Sequence, residues 1–169
     1  TCDEDSFLSA APKNKYLLVL KSLTKFFALP GLRLGYAAGH RDLVRRISDL
    51  QYPWNINSLA QAAGKEALKD RNYMSYSREH VAREREFLSG GLKDIKGLKA
   101  FSPSSNFILC KLDGCAVKSA KVLNEKLIKK GLVVRNCGNF RGLDEKFFRV
   151  AVRNRNENNR LVTALKEVL

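Results

Sequence analysis

Apolar residues along this chain gather in runs whose period switches repeatedly between that of a strand and that of a helix. Residues 16–20 and 34–38 are short, nearly continuous apolar stretches, and they predict two buried strands. Residues 41–51 switch to a helical period, with Leu43, Val44, Ile47 and Leu50 on one face. Pro53 breaks that helix, because proline disfavours the helical state of the residue before it. Asn57 or Ser58 is placed to cap a second helix over 59–69. A long, highly charged helix follows over 71–92, with Tyr73, Tyr76, Val81, Phe87 and Leu88 as its sparse apolar contacts and Gly90-Gly91 as its end.

Strand-like runs return at 98–101 and 106–112, the second alternating Phe107, Leu109 and Lys111 against Asn106, Ile108 and Cys110. Residues 119–130 form an amphipathic helix through Val122, Leu123, Leu127 and Ile128, stopped by Gly131. Two more strands are expected over 132–135 and 147–152. A final helix over 156–169 turns Leu161, Ala164, Leu165 and Val168 inward. The pattern from residue 98 onward is that of a compact α+β unit. The two early strands have no such company, since two strands cannot make a sheet with both faces covered. The chain is therefore expected to be a piece of something larger.

Bulk composition narrows the class. The 169 residues are 44% hydrophobic and 28% charged, ordinary for a soluble protein. No stretch approaches the roughly 18 apolar residues of a membrane span, and the first residues carry acids rather than a basic, apolar leader. A cytoplasmic protein without a membrane partner is expected. The four cysteines contain no C-x-x-C pair and only two histidines accompany them, so neither a metal site nor a disulfide framework is expected. A net charge of +14 invites a nucleic-acid partner. The excess, however, is spread along helices among Glu84, Glu86, Asp94 and Glu125, as on solvated faces. It also suits small anionic ligands. No nucleic acid is expected.

The candidate chemistry lies in residues 22–36. Ser22 stands three residues before Lys25 and Arg33 eight residues after it, between the two strands. A lysine there is poorly explained by packing, and lysine is the usual side chain that forms an imine with a carbonyl cofactor. A hydroxyl and a guanidinium nearby suit a phosphate on that cofactor. This combination points to pyridoxal 5'-phosphate. Thr24 and Tyr36 flank the run, Thr24 as an open candidate and Tyr36 as a buried aromatic.

The Ser22–Lys25–Arg33 arrangement resembles the lysine segment of the fold-type I pyridoxal-phosphate enzymes, the aminotransferase superfamily. With residues 53–60 and 135–144 it is similar in particular to the threonine-phosphate decarboxylases, and next to the histidinol-phosphate aminotransferases. The resemblance runs from about Lys15 to Leu169. It implies an α/β fold: the C-terminal portion of a pyridoxal-phosphate-dependent transferase. Residues 1–70 would be the end of the large cofactor-binding domain, and 71–169 the connecting helix and small C-terminal α+β domain.

The resemblance also implies roles. Lys25 would be the catalytic, imine-forming lysine, and its proton shuttling needs an unprotonated fraction that burial and the charge of Arg33 favour. Ser22 and Arg33 would bind the cofactor phosphate. Arg149, inside the apolar strand, would grip the substrate carboxylate, and Arg135, at a strand end, the substrate phosphate. Asn139 and Arg141 in the adjoining loop are further candidate substrate contacts, and Asn57 is either a candidate contact or only a helix cap.

The implied reaction is decarboxylation of L-threonine O-3-phosphate to aminopropanol phosphate in cobalamin biosynthesis, by a lyase that is homodimeric in its full-length form. Histidinol-phosphate aminotransferase is the alternative. A third expectation is an inert fragment. The family's partner for the cofactor ring nitrogen is an aspartate well upstream of the lysine, and Asp3 and Asp5 stand too near Lys25 to match it comfortably.

Overall fold

The computed structural model describes residues 6–169, so Asp3 and Asp5 lie outside the described residues. Packing divides the chain into two compact units, Thr1–Met74 and Ser75–Leu169.

In the first unit, β1 (Leu18–Ser22) pairs antiparallel with β2 (Gly35–Gly39), in a register running from Leu18 opposite Gly39 to Ser22 opposite Gly35. The two strands were expected to be buried. Instead Leu18, Leu20 and Tyr36 are exposed, because a two-stranded ribbon cannot cover both of its own faces. Tyr36 is accordingly not the buried aromatic its setting predicts. The small core beside the ribbon is Leu23, Leu34 and Ala60, with Phe27, Leu32 and Ile56 against it. Two helices follow, α1 (Arg41–Asp49) and α2 (Ser58–Lys69). His40 caps α1, its Nδ1 accepting from the Asp42 amide at 3.3 Å. Asn57 caps α2, its Oδ1 accepting from the Ala60 amide at 2.8 Å, so a local helix cap accounts for this side chain.

The long helix α3 spans Arg71–Lys93, and the boundary between units falls inside it. Gly90-Gly91 does not end it. A Cβ on Gly91 would stand 3.0 Å from Val162 Cγ2, so this glycine serves close helix packing rather than termination.

The second unit is a four-stranded antiparallel sheet in the order β3 (Leu98–Ala100), β4 (Phe107–Leu112), β6 (Phe147–Ala151), β5 (Arg135–Asn136). Helices α4 (Ala120–Ile128) and α5 (Arg155–Val168) complete it. Ile108, Cys110, Leu112, Phe148 and Val150 form one core with Leu88, Leu92, Leu123, Leu127, Leu161 and Leu165. On α4 the buried stripe is Ala120, Leu123 and Leu127, while Val122 and Ile128 are exposed. Because side chains alternate along a strand, Phe107, Leu109, Lys111, Phe147 and Arg149 occupy the opposite face of the sheet.

The strand expected over 132–135 begins only at Arg135. The amide and carbonyl of Val134 are both taken by the side chain of Asn124 on α4, at 2.8 and 2.9 Å, which removes them from any ladder.

Glu84 also departs from expectation. It was assigned to a solvated helix face, yet it is only 5% exposed. Arg155 donates to both of its carboxylate oxygens at 3.0–3.2 Å, and Asn158 Nδ2 adds a bond at 3.1 Å. Asn158 in turn bonds both backbone groups of Arg153, and the Arg155 guanidinium lies 3.9 Å from the centre of the Phe87 ring. The network ties the start of α5 to the middle of α3.

Two stability predictions follow from these contacts. A Cβ at Gly35 would lie 2.7 Å from the backbone oxygen of Lys21, which cannot yield without opening the ribbon. Gly35→Ala should therefore cost about 1–3 kcal/mol in a denaturant titration. Gly31, with nothing within 4 Å, should accept alanine without that cost. For Glu84, the Arg155 hydrogen bonds hold its carboxyl below the ordinary value of 4.5. A lowered folded value means the contribution is complete above the ordinary pKa and is lost as pH falls through the lowered one. The melting-temperature gap between wild type and Glu84→Gln should thus be constant near neutrality and close on acidification below that range.

Candidate functional site

The segment joining β1 to β2 is held by its own backbone and by the Tyr73 hydroxyl, which donates to the Phe26 carbonyl at 3.0 Å. The Phe27 amide donates to Leu23 O at 3.2 Å, Leu29 to Thr24 O at 2.9 Å and Ala28 to Lys25 O at 3.2 Å. Ala28 closes the turn in the left-handed region, with φ 52°, and Arg33 ends the following short helical turn, Pro30–Leu32, with φ 50°. Neither residue is glycine, so the loop carries local strain there.

This geometry gathers part of the predicted set. Ser22, Thr24 and Arg33 line one open groove of about 410 Å³, together with Lys21, Gly35, Tyr36 and Gln51. The Ser22 and Thr24 hydroxyls share a hydrogen bond of 2.8 Å, and Thr24 is 3% exposed. Arg33 Nη1 donates to the Pro30 carbonyl at 3.3 Å. Paired hydroxyls and a five-donor guanidinium in one concavity are the donor set a phosphate ester takes. Lys25 is not part of the groove lining. It stands on the turn that begins two residues past the strand end, and its side chain is exposed rather than buried as its expected chemistry favours.

In the second unit the sheet register brings the other two candidates together. Arg135 on β5 is directly opposite Arg149 on β6, so both side chains leave the same face, the one away from the core. Like charges directly opposite across a ladder are unfavourable, and nothing in the packing of the sheet asks for them. Arg149 Cζ sits 4.0 Å from the centre of the Phe107 ring. Arg135 lies 5.8 Å from the Phe140 ring centre, and its Nη2 donates to Asn139 Oδ1 at 3.3 Å. Asn139 thus contacts Arg135 rather than standing alone in its loop, and Arg141 is exposed on the same turn.

Phe107 is the contact that reading the sequence missed. Its place two positions before Leu109, the cross-strand neighbour of Arg149, becomes visible only once the β4–β6 register is known. Other candidates fall away. Burial pushes the Cys110 thiol up to about 12, which leaves it no thiolate at neutral pH. Among the described residues no three His, Cys, Asp or Glu side chains converge as metal ligands. No helix among them is long and apolar enough to cross a membrane.

Comparison with known proteins shows the family. Residues 3–165 match the family described as aminotransferase class I and II. A protein of Caldanaerobacter subterraneus provisionally named threonine-phosphate decarboxylase is 42% identical over 94% of this chain and 42% of its own length. The threonine-phosphate decarboxylase of Salmonella typhimurium is 34% identical over 98% of this chain and 45% of its own. Among solved structures, the histidinol-phosphate aminotransferase of Clostridium acetobutylicum superposes with a TM-score of 0.91 at 36% identity, over 99% of this chain and 50% of that one. The chain spans about half the length of the relatives it matches. It belongs to the class I and II aminotransferase family, whose enzymes depend on pyridoxal phosphate.

Proposed function

We propose that the whole protein containing this chain decarboxylates L-threonine O-3-phosphate to aminopropanol phosphate, a step of cobalamin biosynthesis. The carrying observation is the opposed pair Arg135 and Arg149 on one sheet face. Two arginines paired across one ladder suit one small substrate with two anionic groups, here a carboxylate and a phosphate. Family members are usually homodimers, and the same reading takes the full-length protein as a cytoplasmic homodimer.

Ser22 and Arg33 would hold the phosphate of pyridoxal phosphate, and Lys25 its carbonyl carbon. When bound, that group supplies a conjugated ring that takes up the electron pair of the bond broken at the substrate α-carbon. The residues decide which bond that is. Arg149 grips the carboxylate and Arg135 the phosphate, and the two together fix the rotation of the substrate about its α-carbon. Arg149 would hold the carboxylate so that it is the group lost as carbon dioxide, and Lys25, as its ammonium, would return a proton to the α-carbon.

The likeness to a histidinol-phosphate aminotransferase structure favours a second reading. Histidinol phosphate carries a phosphate and no carboxylate, so Arg149 would then serve the carboxylate of the second substrate, and Lys25 would remove the α-proton.

The test uses the full-length protein, pyridoxal phosphate and O-phospho-L-threonine. Carbon dioxide should be released with no keto acid present, and Lys25→Ala should lower kcat by roughly 10²–10⁴-fold. Amino transfer from histidinol phosphate to 2-oxoglutarate without decarboxylation would replace this reading with the second.

A further inference from the structure

The opposed arginines repel each other, and each is held by a different partner. The sheet order β4–β6–β5 puts β6 in the middle of these three strands, with Arg149 on it. Arg149 lies over Phe107, which belongs to β4 on one side of β6. Arg135, from β5 on the other side, meets Asn139 and Phe140 in the turn that follows its own strand. The two cations are therefore held on opposite sides of β6, one by each restraint.

The turn is itself well built. Gly138 N donates to Asn136 Oδ1 at 2.9 Å, Cys137 N to Phe147 O at 3.0 Å, Phe140 N to Cys137 O at 3.0 Å and Leu143 N to Phe140 O at 3.0 Å. Asn139 and Phe140 consequently present their side chains from a backbone pinned to β6. Phe107 is pinned in the same way, through its pairing opposite Ala151. Both rings are more than one third exposed, so neither is spent on filling the core.

We infer that Phe107 is a positioning residue for the carboxylate grip of Arg149, and that the Asn139–Phe140 turn is the specificity-determining element for the phosphate grip of Arg135. The inference rests on the substrate reading above and assigns the two anionic groups to separately supported subsites. A guanidinium whose carbon sits 4.0 Å over a ring centre is held on that side by the ring and keeps N–H donors for a carboxylate to meet in bidentate fashion. The side-chain Oδ1 of Asn139 accepts from one guanidinium nitrogen of Arg135 and leaves the remaining donors for a phosphate.

The experiment takes the full-length, cofactor-loaded enzyme and measures by calorimetry the binding of two half-ligands. L-Threonine has the carboxylate without the phosphate, and aminopropanol phosphate has the phosphate without the carboxylate. Phe107→Leu keeps apolar bulk and removes the ring face. It should weaken L-threonine roughly 3–10-fold and leave aminopropanol phosphate within about twofold. Phe107→Tyr should restore the lost affinity. Phe140→Leu should show the reverse pattern, and Asn139→Ala should follow it. Melting temperatures taken alongside separate a folding defect from lost positioning, since a folding defect weakens both probes alike.

Arg149→Lys and Arg135→Lys serve as the reference pair. If they sort by probe and the aromatic variants do not, the positioning inference is overturned and the substrate reading stands. If the arginine variants themselves fail to sort, the substrate reading has failed and the inference falls with it.

Discussion

Everything distinctive about the second unit depends on the register of β6. Phe148 and Val150 point into the core, so Phe147, Arg149 and Ala151 must point away from it. A slip of one residue would bury Arg149 and expose Phe148, at the joint cost of an unsolvated guanidinium and a lost aromatic contact. Burial thus locks the register, and the register sets Arg149 opposite Arg135 on one side and Leu109 on the other. The face that carries the two arginines inherits its geometry from the apolar face beneath it.

Two polar devices extend that control to the ends of the elements. Asn124 spends its whole amide on Val134, which holds the approach to β5 against α4 and starts the strand at Arg135. Glu84 spends its carboxylate on Arg155 and Asn158, which anchors the start of α5 to α3 just after β6 ends. Both are satisfied polar groups at places where an unsatisfied one would be costly. They hold the flanks of the strands that carry the two arginines.

The first unit works differently. Its groove rests on a two-stranded ribbon and a small core, and the positions of Thr24 and Arg33 come from a loop whose backbone enters the left-handed region twice. The phosphate-type donors, Ser22, Thr24 and Arg33, are assembled there by turn hydrogen bonds, by the small core and by Tyr73, whose hydroxyl donates to the Phe26 carbonyl. Lys25 stands exposed at the head of the turn. The groove has the donors of a phosphate site without enclosing the lysine that would react beside it.

Most elements were legible in the residues because the apolar period is strong: every helix and strand expected from residue 41 onward has its counterpart in the fold. Ends were less legible. Gly90-Gly91 looks like a helix stop but is a packing notch against Val162, and 132–134 looks like a strand but gives its backbone to Asn124 and Leu127. Those outcomes turn on partners distant in the chain. The same holds for Glu84, whose charge looks solvated until Arg155 arrives from 71 positions away. Residue types and spacing marked Ser22, Lys25 and Arg33 as candidates, and the family resemblance added Arg135 and Arg149, because charge and hydroxyl chemistry are properties of the residue. Which of them share a face, and which ring supports which guanidinium, is a matter of strand register, and register is settled by burial across the whole sheet.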